Sequence, residues 1–232
     1  MSEIAQRIKS VRERIAAAAI RAGRNPEEIQ LIAVSKTVDI PQVLEAYEQA
    51  GQTVFGENRV QELVRKYDPR FQWHQIGHLQ TNKVKYIVDK VDLIHSVDSL
   101  HLAEEIDRQG KKVERVVPIL LQVNVSGEKS KFGVDFSEVL PLVTKMSQMR
   151  NISLKGLMTM APNVTEPEKT RSIFRQLRTL YVDIESKNID NVNMNYLSMG
   201  MSNDFEVAIE EGANLVRIGS SIFTKDKKME HL

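Results

Sequence analysis

Eight short apolar runs recur along this chain, each followed by a polar turn and an amphipathic segment, and that beat limits the fold more than any other feature. The runs are "LIAVS" (31–35), "TVFG" (53–56), "WHQIG" (73–77), "LIHSV" (93–97), "VVPILLQVNV" (116–125), "ISLKGLM" (152–158), "NMNYLSMG" (193–200) and "NLVRIG" (214–219). Helical signals fill the gaps. Asp39 caps a segment with Pro41 in its first turn, Val43, Leu44 and Tyr47 on one face, and Gly51 at its end. Ser202, Asn203 and Asp204 offer N-cap oxygens to another, Asn203 and Glu206 have capping-box spacing, and Gly212 closes it. From Lys36 at the end of the first run to Arg217 in the last, seven steps of roughly 26 residues match the unit of a (β/α)8 barrel. The competing doubly wound sheet carries a glycine-rich turn after its first strand, whereas this turn reads "SKTVD".

The pattern therefore predicts an α/β fold: a single TIM barrel domain over 1–232, with an additional N-terminal helix over 1–22 and a frayed basic tail over 225–232. In the first helix Ile4, Ile8, Val11, Ile15 and Ala18 or Ala19 share one face. Its stretch "IAAAAI" is too short and weakly apolar for a secretory signal, and no run is long enough to span a bilayer. With 32 basic against 31 acidic residues, the surface lacks the bias that nucleic acid would require. The absence of cysteine removes thiolate chemistry and fits a cytoplasmic setting.

A barrel of this kind places its chemistry at the C-terminal ends of its strands. Those ends supply Lys36, Asn58, His78, Ser96, Asp98, Asn124, Met158, Ser198 and Arg217. Lys36 shares strand parity with Ile32 and Val34, and Arg217 with Leu215 and Gly219, so both are expected to face one mouth across adjoining strands. A partly buried amine there would be a nucleophile toward a carbonyl. Alternatively, Lys36 simply extends past the strand into water. The last two loops read "SMGMSND" and "IGSSI", where Gly200 and Gly219 admit an anion to the backbone and Ser202, Ser220 and Ser221 add hydroxyls. These residues could equally be caps and turn formers. An amine opposite a phosphate cradle suits a ligand carrying an aldehyde and a phosphate, and pyridoxal 5′-phosphate is the obvious candidate. Arg217 would then lie near its pyridine nitrogen.

The segments "AVSKT", "FGENRVQE", "WHQIGHLQTNK", "LMTMAP", "LSMGMSNDFEVAIEEGANLVRIGSSIF" and "KSKFG" span nearly the whole chain. Together they resemble the pyridoxal phosphate homeostasis family, which is related to the N-terminal barrel of alanine racemase. The resemblance implies that Lys36 holds pyridoxal 5′-phosphate as an internal aldimine. It further implies that Ser202, Gly219, Ser220 and Ser221 hold the phosphate, that Arg217 meets the pyridine nitrogen, and that Asn58 and His78 line the ring pocket. It departs from the family at Thr224, where glycine is usual. Read alone, His78 is also a packing residue and Asn58 a helix cap, while Met158, Met160 and Met199 fill space.

Racemisation needs a base on each face of the substrate carbon. In the related racemases a tyrosine from a further domain supplies the second. Here 13 residues follow Gly219, and Tyr47, Tyr67, Tyr86 and Tyr181 lie in helical stretches while Tyr196 lies within a strand. The expectation is a monomeric, non-catalytic protein that buffers or delivers pyridoxal 5′-phosphate in amino-acid and keto-acid homeostasis, with apo-forms of pyridoxal-phosphate enzymes as partners. A small racemase, a cofactor-free Schiff-base aldolase and a purely protein-binding barrel are the alternatives.

Overall fold

A computed structural model describes residues 1–128 and 132–224. The expected tail over 225–232, and the lysines at 129 and 131 of the "KSKFG" segment, lie outside the described residues. In chain order the strands are β1 (Gln30–Val34), β2 (Val54–Glu57), β3 (Gln72–Gln75), β4 (Leu93–Val97), β5 (Val117–Asn124), β6 (Val134–Asp135), β7 (Ile152–Met158), β8 (Val192–Met201) and β9 (Leu215–Ile218). The helices are α1 (Glu3–Arg21), α2 (Ile40–Ala50), α3 (Val60–Lys66), α4 (Leu100–Lys112), α5 (Val139–Met146), α6 (Arg171–Glu185), α7 (Phe205–Glu210) and α8 (Ser220–Phe223).

All strand pairings are parallel, and the order β4-β3-β2-β1-β9-β8-β7-β5 closes through β4–β5 into an eight-stranded ring. The eight predicted runs supply its eight strands. The two-residue β6, which no periodicity announced, adds to the end of β5. Alternation sorts the side chains: Ile32, Val54, Leu93, Leu120, Met158 and Leu215 fill the interior. Their strand neighbours Ala33, Phe55, Ile94 and Leu121 join the larger core beneath the helices. Parity therefore places Lys36 and Arg217 on the side of Ile32 and Leu215, as their spacing predicts.

α1 buries the anticipated face, with Ile8, Val11, Ile15, Ala18 and Ala19 inaccessible, and packs on α2, α7 and α8. Asp39 and Gln42 form a capping box for α2, and Gly51 ends it. Two expectations fail. Between β3 and β4 the helical unit is only a 3-10 segment, Thr81–Tyr86. The capping box expected of Asn203 and Glu206 is absent, because Asn203 donates to the carbonyl of Val164 while Glu206 is drawn to Arg14 at 2.8 Å. Asp204 is the N-cap residue of α7, and its carboxylate accepts from the N–H of Met201 at 2.7 Å.

Glu206 also approaches Arg21 at 3.7 Å, so α1 and α7 are laced by ion pairs whose side chains remain substantially exposed. Solvent screens such pairs, and Glu206→Gln is expected to lower stability by less than about 1 kcal/mol. An unfolding free energy from urea titration lowered by more than that amount would contradict this assignment.

Candidate functional site

The C-terminal ends of the strands open onto a cavity of about 590 Å³. Seven of the eight residues expected of the site line it: Lys36, Asn58, His78, Ser202, Arg217, Gly219 and Ser220. Ser221 is set back from the wall, and its N–H reaches the cradle by donating to Ser202 Oγ at 3.5 Å.

β1 ends at Val34, and Lys36 stands in the turn beyond it, where its side chain is exposed. The expectation of a partly buried amine is therefore corrected: strand and sheet stop two residues too early to enclose it. Among the described residues Lys36 makes no hydrogen bond or ion pair, which leaves its amine free to react.

Arg217 is the reverse case. It is 4 % exposed, and its guanidinium donates to Ser198 Oγ and, at 2.9 Å, to the carbonyl of Thr159. Burial pulls its pKa down to about 10, against the favourable charge of Asp204. Asp204 is itself buried, and its pKa is raised by desolvation, although the Met201 N–H and Arg217 both favour its anion.

A polar chain runs from Arg217 across the barrel interior, and sequence reasoning did not find it. His95 Nδ1 lies 2.9 Å from Ser198 Oγ, and His95 Nε2 lies 3.0 Å from His74 Nδ1. Arg217 can only donate, so Ser198 accepts from it and directs its own hydrogen to His95 Nδ1. His95 then carries its proton on Nε2 and donates to His74. Both rings are neutral in this order, and both pKa values are lowered by burial, that of His74 to about 3.

The phosphate-type cradle is built from β8, β9 and the loop after each. Ser202 Oγ accepts from the N–H groups of Gly219, at 3.3 Å, and Ser221, so two backbone donors already converge on one oxygen. Both glycines also have a packing role. A Cβ on Gly219 would lie 3.1 Å from the Val34 carbonyl oxygen, so its absence lets β9 close against β1. Gly200 has φ +92°, and a Cβ there would come within 2.6 Å of Ala208, so it seats α7. Thr224 has φ −75°, which imposes no need for the glycine usual in the resembled family.

His78 is exposed on the rim, stacked on Phe132 with ring centroids 4.2 Å apart and with Nδ1 3.4 Å from Asp98. Asn58 is half-buried. Its carbonyl accepts from Gln75 Nε2 at 3.1 Å, which ties the loops after β2 and β3 together.

Comparison with known proteins bears out the family resemblance and the fold. The family model for the alanine racemase N-terminal domain matches residues 6–226. A pyridoxal phosphate homeostasis protein of Aquifex aeolicus is 45 % identical over 226 residues, covering 96 % of this chain and 98 % of the relative. The chain belongs to the pyridoxal phosphate homeostasis family. The Escherichia coli K12 member is 36 % identical over 230 residues, with 96 % and 97 % covered. Among solved structures, PipY of Synechococcus elongatus with PLP bound aligns at a TM-score of 0.83 and 36 % identity, covering 95 % of this chain and 99 % of that one. Alanine racemase from Clostridium difficile shares the fold at a TM-score of 0.68 and 13 % identity.

Two further features of this family member escaped sequence reasoning. Asp204 lines the cavity although it was weighed only as a cap. Glu57 and Lys66 form a buried pair, 2.7 Å apart, behind the Lys36 turn. The charged tail of "FGENRVQELVRK" reads as a solvated helix face, and only tertiary packing discloses that Lys66 points inward.

Proposed function

We propose that this chain binds pyridoxal 5′-phosphate reversibly, through a Schiff base on Lys36, and acts in the homeostasis of that cofactor without robust catalysis of its own. The observation that carries the proposal is the convergence on one cavity of an unpaired amine, a buried guanidinium and the cradle of Ser202 with the Gly219–Ser221 turn. This donor set fits a ligand with an aldehyde at one end and a phosphate at the other. The PLP-bound relative, similar over almost its entire length, supports the same reading.

In this scheme Lys36 Nζ, as the free amine, adds to the aldehyde carbon. The aldehyde oxygen leaves as water with the two amine hydrogens, and hydrolysis reverses the step. Ser202, Ser220 and the N–H groups of Gly219 and Ser221 bind the phosphate, and Asn58 and His78 flank the ring. Arg217 faces the pyridine nitrogen. Because a guanidinium does not give up its proton there, the nitrogen stays unprotonated and the ring is a weak electron sink. That disfavours carbanion chemistry and suits storage. No tyrosine lines the cavity among the described residues, and His78, engaged with Asp98 and Phe132, is the nearest thing to a second base. The protein is taken to be cytoplasmic and monomeric, with apo-forms of pyridoxal-phosphate enzymes as recipients. No described helix is long and apolar enough to cross a membrane.

Incubation of the purified chain with pyridoxal 5′-phosphate, followed by borohydride reduction and peptide mapping, is expected to place one equivalent on Lys36. Assays with L- and D-alanine are expected to show no sustained racemisation. An unmodified Lys36 would defeat the binding scheme, and many turnovers per chain would replace homeostasis with a small racemase.

A further inference from the structure

Among the described residues, Lys66 and Glu57 form the only ion pair in which both side chains are fully buried. Stability alone does not account for it. Burying two charges costs more than their attraction returns unless their remaining hydrogen-bonding capacity is met, and apolar residues of similar volume often serve as well. Here that capacity is not met: Glu57 Oε1 accepts two bonds, whereas Oε2 is buried without a partner.

What the pair holds is Ser35, the residue before Lys36. Ser35 Oγ donates to Glu57 Oε1 at 2.6 Å, and its carbonyl accepts from Lys66 Nζ at 2.8 Å. Its N–H donates to the carbonyl of Gly56 at 3.0 Å. The same Ser35 carbonyl accepts from the N–H of Val38 at 3.1 Å, closing the turn whose corner is Lys36. Every polar group of Ser35 is engaged, and the exposed Lys36 arm springs from a fixed base. Parity explains the arrangement: Ser35 and Glu57 face outward toward α3, while Lys36 faces the mouth.

We infer that the Glu57–Lys66 pair is a positioning device for Lys36, acting through Ser35 to hold the Lys36 turn where its amine meets an aldehyde seated in the mouth. The inference rests on the Schiff-base reading above. Fixing the base of the arm removes orientations that do not lead to attack, so its effect falls on the rate of condensation rather than on recognition of ring and phosphate.

The test uses cofactor-free full-length protein and two ligands. Pyridoxal 5′-phosphate reports condensation as adduct trapped on Lys36 by borohydride. Pyridoxine 5′-phosphate, with an alcohol in place of the aldehyde, reports binding alone. The double variant Glu57→Gln/Lys66→Met leaves no lone buried charge, and Ser35→Ala removes only the hydroxyl link. Adduct formation is expected to slow by roughly tenfold or more in the double variant and by about threefold in Ser35→Ala. Affinity for pyridoxine 5′-phosphate is expected to stay within about twofold of the parent in both. Trapping at the parental rate in the double variant would overturn the inference while leaving the Schiff base intact. A parallel loss of pyridoxine 5′-phosphate binding would also overturn it, by showing a merely structural role. If the double variant does not fold, Ser35→Ala decides the matter by the same two measurements. A parent chain that traps nothing on Lys36 would remove the underlying reading and this inference together.

Discussion

Lys36→Ala is expected to abolish the borohydride-trapped adduct and the visible absorption of the pyridoxal 5′-phosphate complex. The remaining groups explain why binding itself would weaken rather than vanish. Arg217, Ser202 and the two converging N–H groups are untouched by the substitution, so the partners proposed for ring and phosphate remain in place. The loss is the covalent contribution, at least tenfold in affinity, or about 1.4 kcal/mol. Lys36→Arg separates charge from chemistry: it keeps a cation at the turn but supplies no condensing amine, and it should also fail to trap. Equilibrium dialysis gives the affinity and intact mass gives the adduct. One equivalent of adduct on Lys36→Ala would mean that another lysine is the attachment point.

Acidification should unfold this protein from within the barrel. His74 and His95 are buried and neutral, and their folded pKa values are depressed relative to the ordinary 6.5. The unfolded chain therefore binds protons that the native chain refuses. Stability from these groups is fully present above about pH 6.5 and is lost as the pH falls toward about 3, the value to which burial lowers the His74 pKa. His74 contributes about 1.4 kcal/mol per pH unit across that window, so it is expected to cost about 2 kcal/mol at pH 5, and His95 adds to the loss in the same direction. Asp204 acts in the opposite sense. Its folded pKa is raised above the ordinary carboxylate value, so stability is regained as the pH falls from that raised value toward the ordinary one and is fully regained below it. Urea titrations at pH 7 and pH 5 check the slope, and His74→Gln/His95→Gln should flatten it. An equally steep double variant would assign the acid sensitivity elsewhere.

The ring of strands was legible because each interior position alternates with a position under a helix, and that period survives in the sequence. Arg217 was found the same way, two residues beyond Leu215 on the inner face. The exposure of Lys36 was one of two readings the sequence left open, and where pairing stops decides between them: β1 ends at Val34. His74 and His95 lie inside "WHQIG" and "LIHSV" rather than at strand ends, where a barrel's chemistry is expected, yet His95 shares the inner face with Leu93 and is legible from that parity. Asn203 and Glu206 had capping spacing, but distant partners at Val164 and Arg14 outcompeted the local bonds. The Glu57–Lys66 pair left no local trace, because strand and helix periodicity do not register which charged end turns inward.

The seam between β1 and β9 has a consequence for the order of events during folding. Ile32 sits directly opposite Arg217, so the first and last strands of the ring must meet before amine and guanidinium share a mouth. Loops that long close slowly, and their closure entropy is met before their contacts reward it. A chain still emerging from the ribosome has Lys36 from the outset but no mouth until β9 is made. Under the proposed reading, ligand capture at this seam would report completion of the ring, and a bound ligand would act as a latch that slows its reopening.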